Sequence, residues 1–145
     1  MNAEDMWKIY CKNSNLNNKS YEAWAFGGKP DKLAELVLQG VKTATSSLYV
    51  LYAIEQESLP EEGDYSVILN SHGDAICIIK TIRVYVVPFN KVSENHAYRE
   101  GEGDRSLAYW RKVHEEFFVD SLKELELSFN VAMDVVCEEF EVVYM

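Results

Sequence analysis

A chain of 145 residues that is 48% hydrophobic and 26% charged can fill one core but is too short for two ordinary domains. These fractions lie near those of ordinary globular proteins and exclude a disordered, collagenous or coiled-coil chain. With 24 acidic against 14 basic residues, the formal net charge is −10, which argues against a grip on long duplex DNA and for a small or single-nucleotide ligand.

At the N-terminus, Met1 to Tyr10 carries Glu4 and Asp5 in place of a basic leader, and no apolar stretch is long enough to cross a bilayer. Asn2 with Asp5 predicts a short helix whose apolar face holds Met6, Ile9 and Tyr10. Asn13 to Ser20 is polar and reads as a loop. Trp24 and Phe26 precede a Gly27-Gly28-Lys29-Pro30 turn, after which Asp31 is expected to cap a helix with Leu33, Leu36 and Val37, ended by Gly40. A further helix is predicted from Leu48 to Glu57, and a turn from Pro60 to Asp64. Strands follow over Tyr65 to Asn70 and Ala75 to Val87, joined through Ser71-His72-Gly73-Asp74. The second strand is apolar on both faces, as burial on two sides of a small curved sheet or barrel requires. Val92 to Arg99 reads as a short helix. Ser106 to Leu125 gives the clearest one, with Leu107, Trp110, Phe117, Phe118, Leu122 and Leu125 at helical spacing. Val135 to Tyr144 closes the chain as a strand, with Phe140, Val142 and Tyr144 alternating against Glu139 and Glu141. The expected class is α+β, with helices around a mainly antiparallel sheet, in one domain over residues 1–145 whose first 20 residues form a helical extension.

Cys11, Cys77 and Cys137 are odd in number, scattered and without a CxxC pair, so reduced core thiols in a cytoplasmic protein are expected, with no zinc site. Three places carry chemically capable residues. In Gly40-Val41-Lys42-Thr43-Ala44-Thr45, Lys42 and Thr45 face the same side if the backbone turns and opposite sides if it is extended. A lysine held among apolar groups loses ammonium stability and becomes a candidate base for a nearby hydroxyl. The simpler reading is a lysine that offsets a helix dipole. In Glu100-Gly101-Glu102-Gly103-Asp104, three carboxylates alternate with glycines. They suit a divalent cation, or one acid aimed into a pocket, or only a capping loop, the better reading for Glu102 and Asp104. His114 shares the stripe of Trp110 and Phe117, where a histidine is more often a hydrogen-bonded core residue than a catalyst. His72 and His96 read as loop residues.

Several segments, taken in order, resemble the ASCH domain family, and its longer bacterial subgroup most. They are Leu36-Val37-Leu38-x-Gly40-x-Lys42-Thr43-Ala44-Thr45, Leu59-Pro60-x-x-Gly63-Asp64, Val87-Pro88-Phe89, the Glu100 to Asp104 loop, Trp110-Arg111-x-x-His114, and Glu139-Phe140-Glu141-Val142-Val143. The resemblance implies a PUA-like fold, a small β-barrel with a cleft beside the GxKxxT segment. It also implies, from a smaller subgroup that hydrolyses the amide of N4-acetylcytidine, a catalytic set of Lys42, Thr45 and Glu100. There Thr45 attacks the acyl carbonyl, Lys42 accepts its proton, and Glu100 orients Lys42 or protonates the leaving amine. Trp24, Arg83, Trp110, Arg111 and His114 are the accompanying candidates for substrate binding, with no cofactor and no metal. The competing expectation is a module for single-stranded RNA, or a metal-dependent ribonuclease. In that case Lys42, Arg83, Arg99, Arg105 and Arg111 would form a local basic cleft, and Glu100, Glu102 or Asp104 would hold the ion. A sensor that binds a nucleoside-like ligand without turnover is the third.

Overall fold

The computed structural model describes residues 1–145. Helix α1 (Ala3–Ser14) starts where the Asn2 side chain accepts a 2.8 Å hydrogen bond from the Asp5 amide. It buries Met6, Trp7 and Tyr10; Ile9, expected on that face, is exposed, because Trp7 takes its place against Tyr21 and Tyr65. Strand β1 (Glu22–Trp24) and helix α2 (Pro30–Leu38) follow. Asp31 does not cap α2. Pro30, whose fixed φ suits a first helical turn, begins the helix, and the Asp31 carboxylate accepts hydrogen bonds from the Ser71 amide and hydroxyl at 2.7 and 2.8 Å. Gly40, at φ 75°, turns the chain out of α2.

The segment around Thr45 is an extended strand, β2 (Ala44–Leu48), and helix α3 (Tyr49–Ile54) comes directly after it, shorter than expected. Strands β3 (Tyr65–Leu69) and β4 (Ala75–Pro88) form the predicted hairpin, and a short 3-10 turn, Phe89–Lys91, leads to helix α4 (Glu94–Glu100). Helix α5 (Leu107–Lys123) begins at Ser106, whose hydroxyl accepts from the Tyr109 amide, and β5 (Asp134–Tyr144) ends the chain.

The sheet order is β1-β3-β4-β5-β2, with β1 parallel to β3 and every other pair antiparallel. Register shifts at Ile78/Ile79 and Thr81/Arg83 bend β4 and curl the sheet. The result is a half-barrel with five helices. Since β1 and β2 both remain edges, the gap between them stays open as a cleft. Double burial holds only for the first part of β4, where Cys77, Ile78 and Ile79 are all enclosed; Ile82 and Val86 face solvent, at and beyond the bulge at Thr81/Arg83.

Three apolar clusters hold the sheet. Phe89, Trp110, Phe118, Leu122, Val135 and Cys137 join α4 and α5 to one face. Phe26, Val37, Ile79 and Phe140 join α2 to the other, and Met6, Trp7 and Ile78 dock α1. Phe118 and Leu122 are fully enclosed, each contributing about 1.5–3 kcal/mol on burial. Along α5 the buried stripe is Trp110, His114, Phe118 and Leu122, whereas Phe117 and Leu125 stay exposed. No helix is long and apolar enough to cross a membrane.

Candidate functional site

Extension of β2 decides the arrangement of the GxKxxT segment. The ladder to β5 reaches back to Thr43, whose carbonyl accepts from the Phe140 amide, so side chains alternate along this stretch. Lys42 and Ser46 both turn toward the helices, and Thr45 turns the other way, cross-strand from Glu138. The structure therefore brings Lys42 and Glu100 together but places Thr45 on the opposite face from them.

Helix α4 aims Glu100 inward. Ser93 caps its start, and Gly101 ends it in a left-handed turn at φ 76°. A Cβ on Gly101 would lie 2.5 Å from the Val41 carbonyl oxygen, so the glycine permits α4 to approach the Lys42 segment. Lys42 and Glu100, 58 residues apart and each about 1% exposed, meet at 3.0 Å, and Glu102 reaches the same ammonium at 3.3 Å. Around the other Glu100 oxygen converge the Ser46 hydroxyl and the Trp110 indole N–H, both at 2.5 Å, with His96 Nε2 at 3.1 Å and His114 Nε2 at 3.4 Å.

Burial alone would favour the neutral acid, but Lys42 and the two histidines outweigh it and hold the Glu100 carboxyl well below the ordinary value of 4.5. The same contacts raise His114: burial opposes its imidazolium, and the Glu100 charge and hydrogen bond overcome that. His114 also stacks on Trp110 at 4.3 Å and gives its Nδ1–H to the Trp110 carbonyl. Ser46 donates to Glu100, so it accepts from His96 Nε2 at 2.6 Å. That leaves His96 Nδ1 as the buried nitrogen without a partner.

Glu100, Glu102 and His114 present donor atoms within 4.8 Å of one another, a set that could hold a divalent cation. The Lys42 ammonium already occupies the position between the two carboxylates, so a metal would compete with it. Asp104 instead caps the turn before α5, accepting from the Ser106 amide.

The large cleft between β1 and β2 has a volume of about 880 Å³. Trp24, Phe26, Tyr52 and Thr45 line it, as does Ser46, whose hydroxyl turns to Glu100 on the other face of β2. Phe26 also lies 5.2 Å from the Lys42 ammonium, so this ring stands between the cleft and the buried cluster. Five carboxylates line it, those of Glu22, Glu57, Glu61, Asp64 and Glu138, and no Lys, Arg or His does. None of the basic residues expected to form a basic cleft lines it. Arg83 and Arg99 turn to Glu139, Arg105 lies over Tyr98, and Arg111 donates to the Asn90 carbonyl.

Of the candidates for substrate binding, Trp24 lines the cleft, Trp110 and His114 belong to the buried cluster, and Arg83 and Arg111 lie away from both. Sequence reasoning missed three residues. His96, read as a loop residue, lies fully buried on α4 one turn before Glu100. Ser46 follows from period two, between Ala44 and Leu48 on an enclosed face. Glu138 shares the parity of Val136, Phe140 and Val142, so it puts a carboxyl on the inward face of β5. Burial, then the neighbouring charges of Asp64 and Glu22, push that carboxyl up to about 7.

A family model described as ASCH domain matches residues 22–144. Among solved structures, the ASCH domain from Lactobacillus crispatus superposes with a TM-score of 0.89 and 33% identity, covering 98% of this chain and 94% of that one. A protein from Enterococcus faecalis gives a TM-score of 0.90 and 36% identity, over 97% of this chain and 87% of that one. No curated protein is similar to the chain at a comparable level.

Proposed function

The chain belongs to the ASCH domain family, and from that premise we propose that its cleft binds a nucleobase-like ligand and hydrolyses the amide of an N4-acylated cytidine-type substrate. The observation that carries this reading is that Thr45 lines the cleft on the strand whose other face carries the 3.0 Å contact of Lys42 with Glu100. These are the residue types that the smaller ASCH subgroup uses for that reaction, at the positions of its motif.

The cleft supports a nucleoside-sized occupant. Its volume of about 880 Å³ is ample for one, aromatic side chains offer faces on which a base can stack, and carboxylates offer acceptors to exocyclic N–H groups. The same carboxylates repel a phosphodiester backbone, which favours a nucleoside over a polynucleotide. RNA binding in this cleft has no such support.

In this reading Thr45 Oγ attacks the acyl carbon, and the amine leaves to give an acyl-threonine that water then hydrolyses. Lys42, held by Glu100 and Glu102 on the other face of β2, fixes the strand edge that presents Thr45 to the cleft. Its value well below 4.5 keeps the Glu100 carboxyl ionised beside Lys42. For the same reason Glu100 is suited to orienting Lys42 and not to protonating the leaving amine.

The test is hydrolysis of N4-acetylcytidine by the purified protein, followed by release of cytidine, with Thr45→Val and Lys42→Ala in parallel and divalent metal withheld and then added. Turnover by the wild type that Thr45→Val abolishes, in a protein of unchanged unfolding midpoint, supports the reading. Absence of turnover by the folded wild type, with or without metal, overturns it.

A further inference from the structure

Amide hydrolysis requires a group that takes a proton from the attacking hydroxyl and gives one to the departing amine. Lys42 and Glu100 stand on the far side of β2 from Thr45, and Glu100 is tied to Lys42, Ser46, Trp110 and the two histidines. Thr45's own side of the strand holds a different carboxyl. Glu138 is its direct cross-strand neighbour in the β2–β5 ladder, and both line the cleft. Residues paired in this way carry their Cβ atoms about 4.5–5.5 Å apart, within reach of a hydrogen bond after a rotamer change or through one water.

We infer that Glu138 is a further catalytic residue of this cleft, exchanging protons with the Thr45 hydroxyl and with the leaving amine. The inference rests on the amidohydrolase reading above. As the Thr45 Oγ–acyl bond forms, the Oγ proton passes to the Glu138 carboxylate and the carbonyl electron pair moves onto oxygen. When the C–N4 bond breaks, Glu138 returns that proton to N4. Water then attacks the acyl-threonine and gives a proton to Glu138, which restores it to Thr45 Oγ as the carboxylic acid departs. Atoms and charge balance over the cycle, and no metal or redox partner is needed.

Surroundings suit the role. Asp64, in the turn before β3, and Glu22, on β1, face Glu138 with negative charge; Tyr52 approaches from α3, and its hydroxyl is engaged at 2.6 Å by Ser47. The residue opposite on β4 is the apolar Val84, and on β2 the uncharged Thr45. No positive side chain lines the cleft to hold this carboxyl ionised, so with its value near 7 both forms are populated at neutrality, the condition for exchanging protons in both directions. Glu100, fully buried, and Glu138, half-buried at the cleft, lie on opposite faces of one sheet and are pushed in opposite directions, which separates a structural carboxylate from a working one.

The experiment compares wild type, Glu138→Gln and Glu138→Asp on N4-acetylcytidine from pH 5 to 9, with unfolding midpoints measured alongside. The expected result is a wild-type kcat/KM that rises through a limb near pH 7, the value set for Glu138, and a Glu138→Gln variant that loses about 10²–10⁴-fold in kcat together with that limb. Glu138→Asp, which keeps a carboxyl, should recover part of the rate and keep a shifted limb, which a structural role would not produce. An active wild type whose Glu138→Gln variant keeps kcat and the limb, or changes KM alone, overturns this inference and leaves the hydrolase reading standing. A wild type without turnover removes both.

Discussion

Lys42 is about 1% exposed and so is Glu100, and at this depth the two charges depend on each other. Removing one partner of a buried pair strands the other, at a cost of about 3–5 kcal/mol, whereas removing both is far milder. Lys42→Met should therefore lower the urea unfolding free energy by about that amount, and Lys42→Met/Glu100→Gln should recover much of it. A single variant as stable as wild type would show that the pair is not buried in solution. The consequence for assays is direct: loss of activity in a Lys42 variant is informative only when its fold has been checked. Ser46 and Thr45 make a cleaner contrast, since they sit side by side on opposite faces of β2. Ser46→Ala takes from Glu100 a donor and from His96 an acceptor, and should cost about 1–3 kcal/mol of stability. Thr45→Val should leave stability within about 0.5 kcal/mol and remove turnover. Urea titration and rate measurement on the two variants check both statements, and the reverse pattern would move the chemistry to the Glu100 face.

At the scale of elements, the Gly101 turn is what lets α4 approach the Lys42 segment. With φ 76° and the Val41 carbonyl oxygen 2.5 Å from where a Cβ would stand, Gly101→Ala meets both a disfavoured backbone region and a backbone clash. Left-handed strain alone costs about 1–3 kcal/mol, so a loss at the upper end of that range or beyond is expected by urea titration. Gly63→Ala, also at positive φ but with nothing near the added atom, should cost less. The glycines of the Glu100 to Asp104 loop thus have a packing reason, one that composition could not distinguish from a cation loop. Elements with strong local signals were legible: the Asn2 cap, the β3–β4 hairpin and the existence of α5 follow from capping, turn chemistry and period alone, although Phe117 and Leu125 of the expected stripe face solvent. The family's ordered motifs likewise pointed to Lys42 and Glu100 as a pair. Thr45 was open because a GxKxxT segment can be turned or extended, and only pairing with β5 fixes it as extended. The partners of the arginines are illegible for a similar reason, since cationic side chains find acids that only the fold brings near, as Arg83 and Arg99 find Glu139. Glu138 was legible in principle, as a carboxyl in the inward register of β5, but nothing local says which face of an acidic strand is enclosed.

For the whole molecule, the buried Glu100 and His114, the half-buried Glu138 and the net charge combine into one pH dependence. The folded value of Glu100 is depressed, so its stabilisation is complete above the unfolded value of 4.5 and is lost as pH falls through the folded one. Glu138 is raised to about 7, so the folded state takes up its proton more readily; stability is unaffected below 4.5, falls as pH rises from 4.5 to about 7, and then levels off. The size of that fall is on the order of 3 kcal/mol. His114 is raised above 6.5, so its contribution is present below 6.5 and is lost as pH climbs through the folded value. Self-repulsion acts in the same sense, because the net charge of −10 at pH 7 shrinks toward the isoelectric point near 4.7. The unfolding free energy should therefore peak near pH 5 and decline on both sides, more gently toward pH 8 than toward pH 3. Urea titrations across that range check it, and Glu138→Gln should flatten the segment between pH 5 and 7 while leaving the acid limb in place. A maximum at pH 7 to 8, or a Glu138→Gln profile that overlays the wild type, would mean that Glu138 is ionised and solvated at neutrality, and a kcat/KM limb near pH 7 would then belong to another group.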